Sequence, residues 1–187
     1  AVLFPVLDGT FERGDGSFQV ISNTGSRLFS DFMIRGVKDF RRSLDYLETR
    51  NDIDLNRVAF YGLSGGPRFG FRLGAVDARV KLNIFYAGGL PSGPFRPEVN
   101  PAYFLPKITI PTLMINGRFD SNWRLDYEIK NMFELLGTPD KDKRLVLFDS
   151  DHLAPRKDLV RETLSFLDDY FGPVQLKDAP RLLGSSR

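Results

Sequence analysis

Gly62-Leu63-Ser64-Gly65-Gly66 is a G-x-S-x-G pattern. A short apolar run, Val58-Ala-Phe-Tyr61, precedes it, and a helix-like stretch, 65–76, follows it. A strand–turn–helix setting suits a nucleophilic serine. The tight turn exposes the hydroxyl, and small neighbours let the backbone come close. The following helix N-terminus favours negative charge that develops there. The same glycines would also serve a plain βα turn. A serine hydroxyl is a poor nucleophile at neutral pH and needs a base. The chain has a single histidine, His152, in Phe148-Asp-Ser-Asp-His152, on the loop after an apolar run. In an open parallel sheet, ligand sites lie outside the carboxyl ends of the strands, so Ser64 and His152 are expected at one edge. The imidazole in turn needs an acid to fix its tautomer and stabilise its cation. Asp120 closes Met114-Ile-Asn-Gly-Arg-Phe-Asp120, again just past a strand-like run. Asp149 and Asp151 are the rival acids, but their closeness to His152 in sequence suits loop capping or solvent exposure better. The chemistry these residues suit is acyl transfer through a covalent serine intermediate.

The elements that must hold them follow from periodicity. Met33, Val37, Phe40, Leu44 and Leu47 lie on one stripe of a helix over 31–50, with Ser30 as its N-cap. Residues 2–6 read as a short strand entering the turn at Asp8-Gly9. Further strands are predicted over 58–61, 80–86, 112–115 and 145–148, and helices over 65–76, 123–136 and 157–171. Continuous apolar strands alternating with amphipathic helices argue for a parallel sheet covered on both faces. The Gly/Pro/aromatic stretch 88–106 reads as a connecting loop, and 9–30 as a second one. Residues 1–172 form one domain, and 173–187 a weakly anchored C-terminal tail.

Composition removes whole classes of function. With no cysteine there are no disulfides, thiolate metal sites or cysteine nucleophile, and one histidine excludes multi-histidine metal centres. No metal or cofactor is expected. The 26 basic and 24 acidic residues are interleaved, so nucleic acid and anionic lipid are not expected partners. No apolar run is long enough to span a bilayer, and the N-terminus lacks signal-peptide features, which favours the cytoplasm. Phe29, Phe32, Phe69, Phe71, Phe85 and Phe104 are expected to fill a core or an interface.

Ser64, Asp120 and His152 follow the chain order of the α/β-hydrolase triad. The sequence resembles the C-terminal part of an α/β-hydrolase of the dienelactone hydrolase and acetyl xylan esterase-like branch. The resemblance includes bacterial domains fused to serine/threonine protein kinases. It is carried by Phe4-Pro-Val-Leu-Asp-Gly-Thr-Phe-Glu-Arg13, Asp45-Tyr-Leu-Glu-Thr-Arg50, Tyr61-Gly-Leu-Ser-Gly65, Asn116-Gly-Arg-Phe-Asp120, Leu136-Gly-Thr-Pro139 and Asp151-His152. It implies an α/β fold, an N-terminally shortened α/β-hydrolase with a mostly parallel sheet flanked by helices and no large cap domain. It also implies metal-free hydrolysis of carboxylic esters by Ser64, Asp120 and His152, with the Gly65 backbone N–H serving the oxyanion hole.

Proteins of this kind carry further strands before the one resembling 2–6, including one that delivers the second oxyanion donor. Three expectations follow. Strand 2–6 slides beside 57–61, so that the backbone of Leu7, Asp8 or Gly9 supplies the donor. Or a second copy completes the sheet, making a homo-oligomer. Or the chain is a fragment. At about twenty residues, 88–106 is too short for a large cap, which predicts an open pocket and small esters with short acyl chains. Leu63, Phe119, Trp123 and Leu153 flank the triad and either line that pocket or simply pack. Two other functions stay open: a non-catalytic association module, and an acyltransferase or perhydrolase using the same serine.

Overall fold

The computed structural model describes residues 1–14 and 23–174. Part of the predicted 9–30 loop and nearly all of the predicted tail lie outside the described residues. The first long helix, α1, spans Arg27–Glu48. It begins before the predicted start because Ser26, not Ser30, caps it, its side chain accepting from the Phe29 N–H. Ser30 is buried within the first turn, and the earlier start adds Phe29 to a buried face that also holds Phe32, Met33 and Leu44.

Four strands follow: β1 Ala59–Leu63, β2 Leu82–Tyr86, β3 Thr112–Gly117 and β4 Lys143–Phe148. All pair in parallel in the order β1-β2-β3-β4. The crossovers carry α2 (Pro67–Val76), the one-turn helix α3 (Pro101–Phe104) and α4 (Lys130–Leu135), and α5 (Arg156–Phe171) follows β4. The predicted helix over 123–136 opens instead as a π-helical turn, Leu125–Ile129, that runs into α4.

β2 and β3 are buried along their whole length, which is why they read as unbroken apolar runs. The period of two sorts their side chains between the faces. Phe85 and Met114 join Phe60, Phe71, Ile129 and Met132 in one core cluster. Leu82, Ile84, Leu113 and Ile115 join Phe166 of α5 in the other. Of the six phenylalanines assigned to a core, Phe29, Phe32, Phe69, Phe71 and Phe85 are buried and Phe104 packs at the edge of the main cluster.

The predicted strand 2–6 does not form: residues 1–7 have no sheet pairing. Pro5 offers no N–H to a ladder, and the Val6 carbonyl is taken by the Arg13 guanidinium at 2.9 Å. The segment instead lays Leu3 and Phe4 near Phe60 and Tyr61, around a cavity beside β1. It lies beside 57–61 by side chains, without adding a strand. Among the described residues, no helix is long and apolar enough to cross a membrane.

A charged clamp ties α1 to the α2–β2 turn. The buried Asp77 carboxylate accepts from Arg41 Nε at 3.0 Å and from Arg79 Nη2 at 2.7 Å, and Arg79 also reaches Asp45 on α1 at 2.8 Å. The Arg79 hydrogen bonds hold the Asp77 carboxyl down at about 2. A depressed carboxyl stabilises the fold above its unfolded value of about 4 and loses that contribution as pH falls through the folded value. Asp77→Asn should therefore cost about 1–3 kcal/mol at neutral pH. It should also flatten the fall in stability between about pH 4 and pH 2. Denaturant melts across that range check both.

Candidate active site

β1 ends in a tight turn at Ser64, whose φ of 57° is left-handed. The Ser64 N–H donates to the Tyr86 carbonyl at 2.8 Å, fixing the turn to the end of β2. The flanking glycines are required by closeness. A Cβ on Gly62 would lie 2.8 Å from the Gly66 carbonyl carbon, and one on Gly66 would lie 2.8 Å from Gly62 Cα. Strand and helix therefore meet backbone to backbone across the serine. Gly65 is different, since a Cβ there would meet nothing within 4 Å. Its N–H has no acceptor among the described residues.

His152 Nε2 lies 2.9 Å from Ser64 Oγ, and its Nδ1 lies 2.9 Å from Asp120 Oδ2. The other Asp120 oxygen accepts the backbone N–H of Asn122 at 2.8 Å and of Trp123 at 3.0 Å. The Asp120 side chain has no exposed surface, and that of His152 is 23% exposed. A carboxylate held this way accepts the Nδ1 proton, which leaves the Nε2 lone pair aimed at the serine hydroxyl. The rival acids are occupied elsewhere. Asp149 is exposed and pairs with Arg118 at 2.9 Å. Asp151 accepts from the Ser121 N–H at 2.9 Å, and that bond keeps its carboxyl below the usual range.

The loops after β3 and β4 are bound to each other. Arg118 N–H donates to Phe148 O at 2.7 Å and Phe119 N–H to Ser150 O at 3.0 Å. Asn116 Nδ2 donates to Gly88 O at 2.8 Å, joining the loop after β2. At Gly117 the two chains nearly touch: a Cβ would sit 1.7 Å from the Asp151 carbonyl oxygen. Gly117 enters the sequence analysis only inside the stretch Asn116-Gly-Arg-Phe-Asp120, because the contact that needs a glycine there is long-range.

Beside the turn lies a cavity of about 400 Å³ whose wall includes Leu3, Phe4, Phe32, Phe60, Leu63 and Gly65. Among the four predicted flanking residues, Leu63 belongs to this wall. Phe119 and Leu153 are exposed on the acid and histidine loops, while Trp123 is buried in the main core cluster. Of the three candidate second donors, the Asp8 N–H is taken by Asp39 Oδ2 at 2.7 Å and the Gly9 N–H by Arg13 O at 3.1 Å. Leu7 lines the cavity. Arg68, also in that wall, is a second residue the sequence reading passes over. Its signal was the absence of any acid on α2.

A parallel sheet with helices on both faces, a serine on a left-handed strand-to-helix turn, and an acid and a histidine on the next strand ends define the α/β-hydrolase fold. Solved structures share it. A cold-adapted esterase from an Arctic intertidal metagenomic library aligns with a TM-score of 0.62 at 23% identity, covering 79% of this chain and 66% of that one. A Klebsiella pneumoniae protein assigned as a dienelactone hydrolase aligns at 0.63 and 17% identity, covering 76% and 66%. A Pyrococcus furiosus esterase aligns at 0.60 and 16% identity, covering 73% and 62%. The chain thus spans slightly under two thirds of the length of these proteins. No protein-family model and no curated sequence matches it.

Gly117→Ala should push the histidine loop away from Ser64 while leaving the sheet folded. Labelling of Ser64 by a fluorophosphonate should slow by about 100-fold, in line with the cost of small displacements in a reacting pair. Unchanged circular dichroism would show that the loop, not the fold, has moved.

Proposed function

We propose that the chain is a serine hydrolase of small carboxylic esters. The observation that carries this reading is the unbroken hydrogen-bonded path from Ser64 Oγ through His152 to the buried Asp120 carboxylate, at 2.9 Å in each step. His152 Nε2 takes the Ser64 proton as Oγ bonds to the ester carbonyl carbon, and the carbonyl π pair moves onto oxygen. The Gly65 N–H, without an acceptor among the described residues, meets that oxyanion. The Leu7 N–H is the proposed second donor, since those of Asp8 and Gly9 are committed elsewhere. When the C–O bond to the alcohol breaks, His152 returns its proton to the leaving oxygen. Water then attacks the acyl-enzyme with His152 as base, releasing the acid and restoring the serine. Asp120 remains ionised throughout and holds the ring. The modest cavity volume supports a short acyl group. An acyltransferase or perhydrolase would use the same first half-reaction.

Wild type should hydrolyse a short p-nitrophenyl ester, and Ser64→Ala should not. Asp120→Asn should lower kcat by about 100-fold or more with little change in KM. A wild type that neither labels with fluorophosphonate nor turns over would sink the reading.

A separate observation favours self-association. The outer edge of β1 pairs with no strand among the described residues, and Tyr61 and Leu63 on it are 48% and 46% exposed. Exposed strand edges template pairing with another chain. A homo-oligomer is therefore the expected species in light scattering after size exclusion, and a clean monomer overturns that expectation. An oligomer with an inert serine would make the chain an association module instead.

A further inference from the structure

Asp120 and His152 sit on separate loops, after β3 and after β4, and their side chains meet at 2.9 Å. The acid is held within its own loop by the Asn122 and Trp123 N–H groups. The imidazole has no such support. Among the described residues its ring nitrogens meet only Asp120 and Ser64. Its aim is therefore set by the residues on either side of it. On the far side Ala154 is buried in the core cluster that holds Phe166, and its carbonyl accepts from Tyr86 Oη at a long 3.5 Å. On the near side stands Asp151, whose Oδ1 accepts the Ser121 N–H at 2.9 Å.

Ser121 follows Asp120, and Asp151 precedes His152. The bond between 121 and 151 thus runs alongside the bond between 120 and 152, one residue removed on each loop. On the other flank the Phe119 N–H donates to the Ser150 carbonyl at 3.0 Å. Asp151 is gripped at its main chain as well. Its carbonyl lies against Gly117 and accepts from Ser150 Oγ at 3.3 Å. The acid loop therefore closes on Asp151 at both ends, at Gly117 and at Ser121. A second side-chain link joins the same loops, the Arg118–Asp149 pair at 2.9 Å. Its two side chains are exposed, and it sits where the backbone ladder already fixes the spacing. Exposed pairs of this kind contribute little. A bond from a backbone N–H to a carboxylate is charge-assisted and directional, and this one reaches past the ladder to the acid and the imidazole.

We propose that Asp151 is a positioning residue: by holding the Ser121 N–H it sets the distance between the Asp120 and His152 side chains, and so the aim of Nε2 at Ser64 Oγ. Its effect on rate rests on the serine hydrolase reading, and its effect on the ring does not. His152 is the only histidine in the chain, so the ring nitrogen NMR signals of histidine-labelled protein belong to it alone. In alkaline solution, where an imidazole is neutral, wild type should show Nδ1 protonated and Nε2 bare. Asp151→Ala should move both signals toward the average of the two tautomers. Asp151→Asn keeps an oxygen that accepts the Ser121 N–H and should keep the wild-type pattern. Asp151 is exposed, so neither change removes core packing. With a short p-nitrophenyl ester, Asp151→Ala should lower kcat by about tenfold with KM within about twofold, as a displaced base does. Asp151→Asn should restore most of that loss. Asp149→Ala, which breaks the exposed pair between the same loops, should leave kcat and KM near wild type.

A wild-type ring pattern in Asp151→Ala overturns the proposal. So does an Asp151→Asn protein as impaired as Asp151→Ala, which would assign the effect to charge and not to the tether. An altered ring with the kcat of an active wild type intact overturns it too. An altered ring in Asp151→Ala, beside a wild type that neither labels with fluorophosphonate nor turns over, would sink the hydrolase reading and keep this one. Equal turnover by wild type and Asp151→Ala would do the reverse.

Discussion

The left-handed turn at Ser64 is the constraint around which the other parts are arranged. A non-glycine residue in that region costs roughly 1–3 kcal/mol and persists only where its surroundings over-determine it. Here they do. Gly62 and Gly66 meet backbone to backbone, and the serine N–H is tied to the end of β2. The turn lifts the hydroxyl clear of the sheet at the edge where β3 and β4 deliver Asp120 and His152. It also leaves Gly65 facing open space with its N–H unused. The proposed nucleophile and the proposed oxyanion donor are thus two outcomes of one backbone conformation.

The proposed acid and base are positioned by a different device. Asp120 is buried and held by two backbone N–H groups of its own loop, so its orientation does not depend on distant packing. His152 depends on the loop after β4, which is bound to the loop after β3 by a short hydrogen-bond ladder and by the close approach at Gly117. The two loops behave as one unit. Displacement of either changes the Ser64–His152 distance, while the Asp120 bonds to its own loop survive.

What could be read in the sequence follows how local each cause is. The strands β2 and β3 were legible because burial on both faces makes them continuous apolar runs. Ser64 was legible because the turn needs glycines at fixed offsets, and His152 because no other imidazole competes. Asp120 was separable from Asp149 and Asp151 by its place at a strand end. Residues 2–6 have a strand's composition, yet the Val6 carbonyl bonds to Arg13 and the apolar side chains face a cavity. The start of α1 was displaced because two serines, Ser26 and Ser30, could both cap it. The π-helical turn at Leu125–Ile129 leaves no mark that periodicity detects. Gly117 matters through a contact with the loop after β4, far along the chain, and no local pattern records it.

The N-terminal segment forms one wall of the cavity without belonging to the sheet. Its attachment is mostly electrostatic. Asp8 pairs with Arg35 of α1, Arg13 pairs with Asp39 of α1 at 2.8 Å, and the Asp8 N–H donates to the same Asp39 carboxylate. These side chains are partly open to water, where dissolved ions screen such attractions over about a nanometre. A wall bonded into a sheet ladder would respond little to electrolyte. This wall is fastened to a helix by ion pairs, so the shape of the cavity becomes a property of the medium as well as of the chain. Ionic strength acts on it as a loosening control even for an uncharged guest.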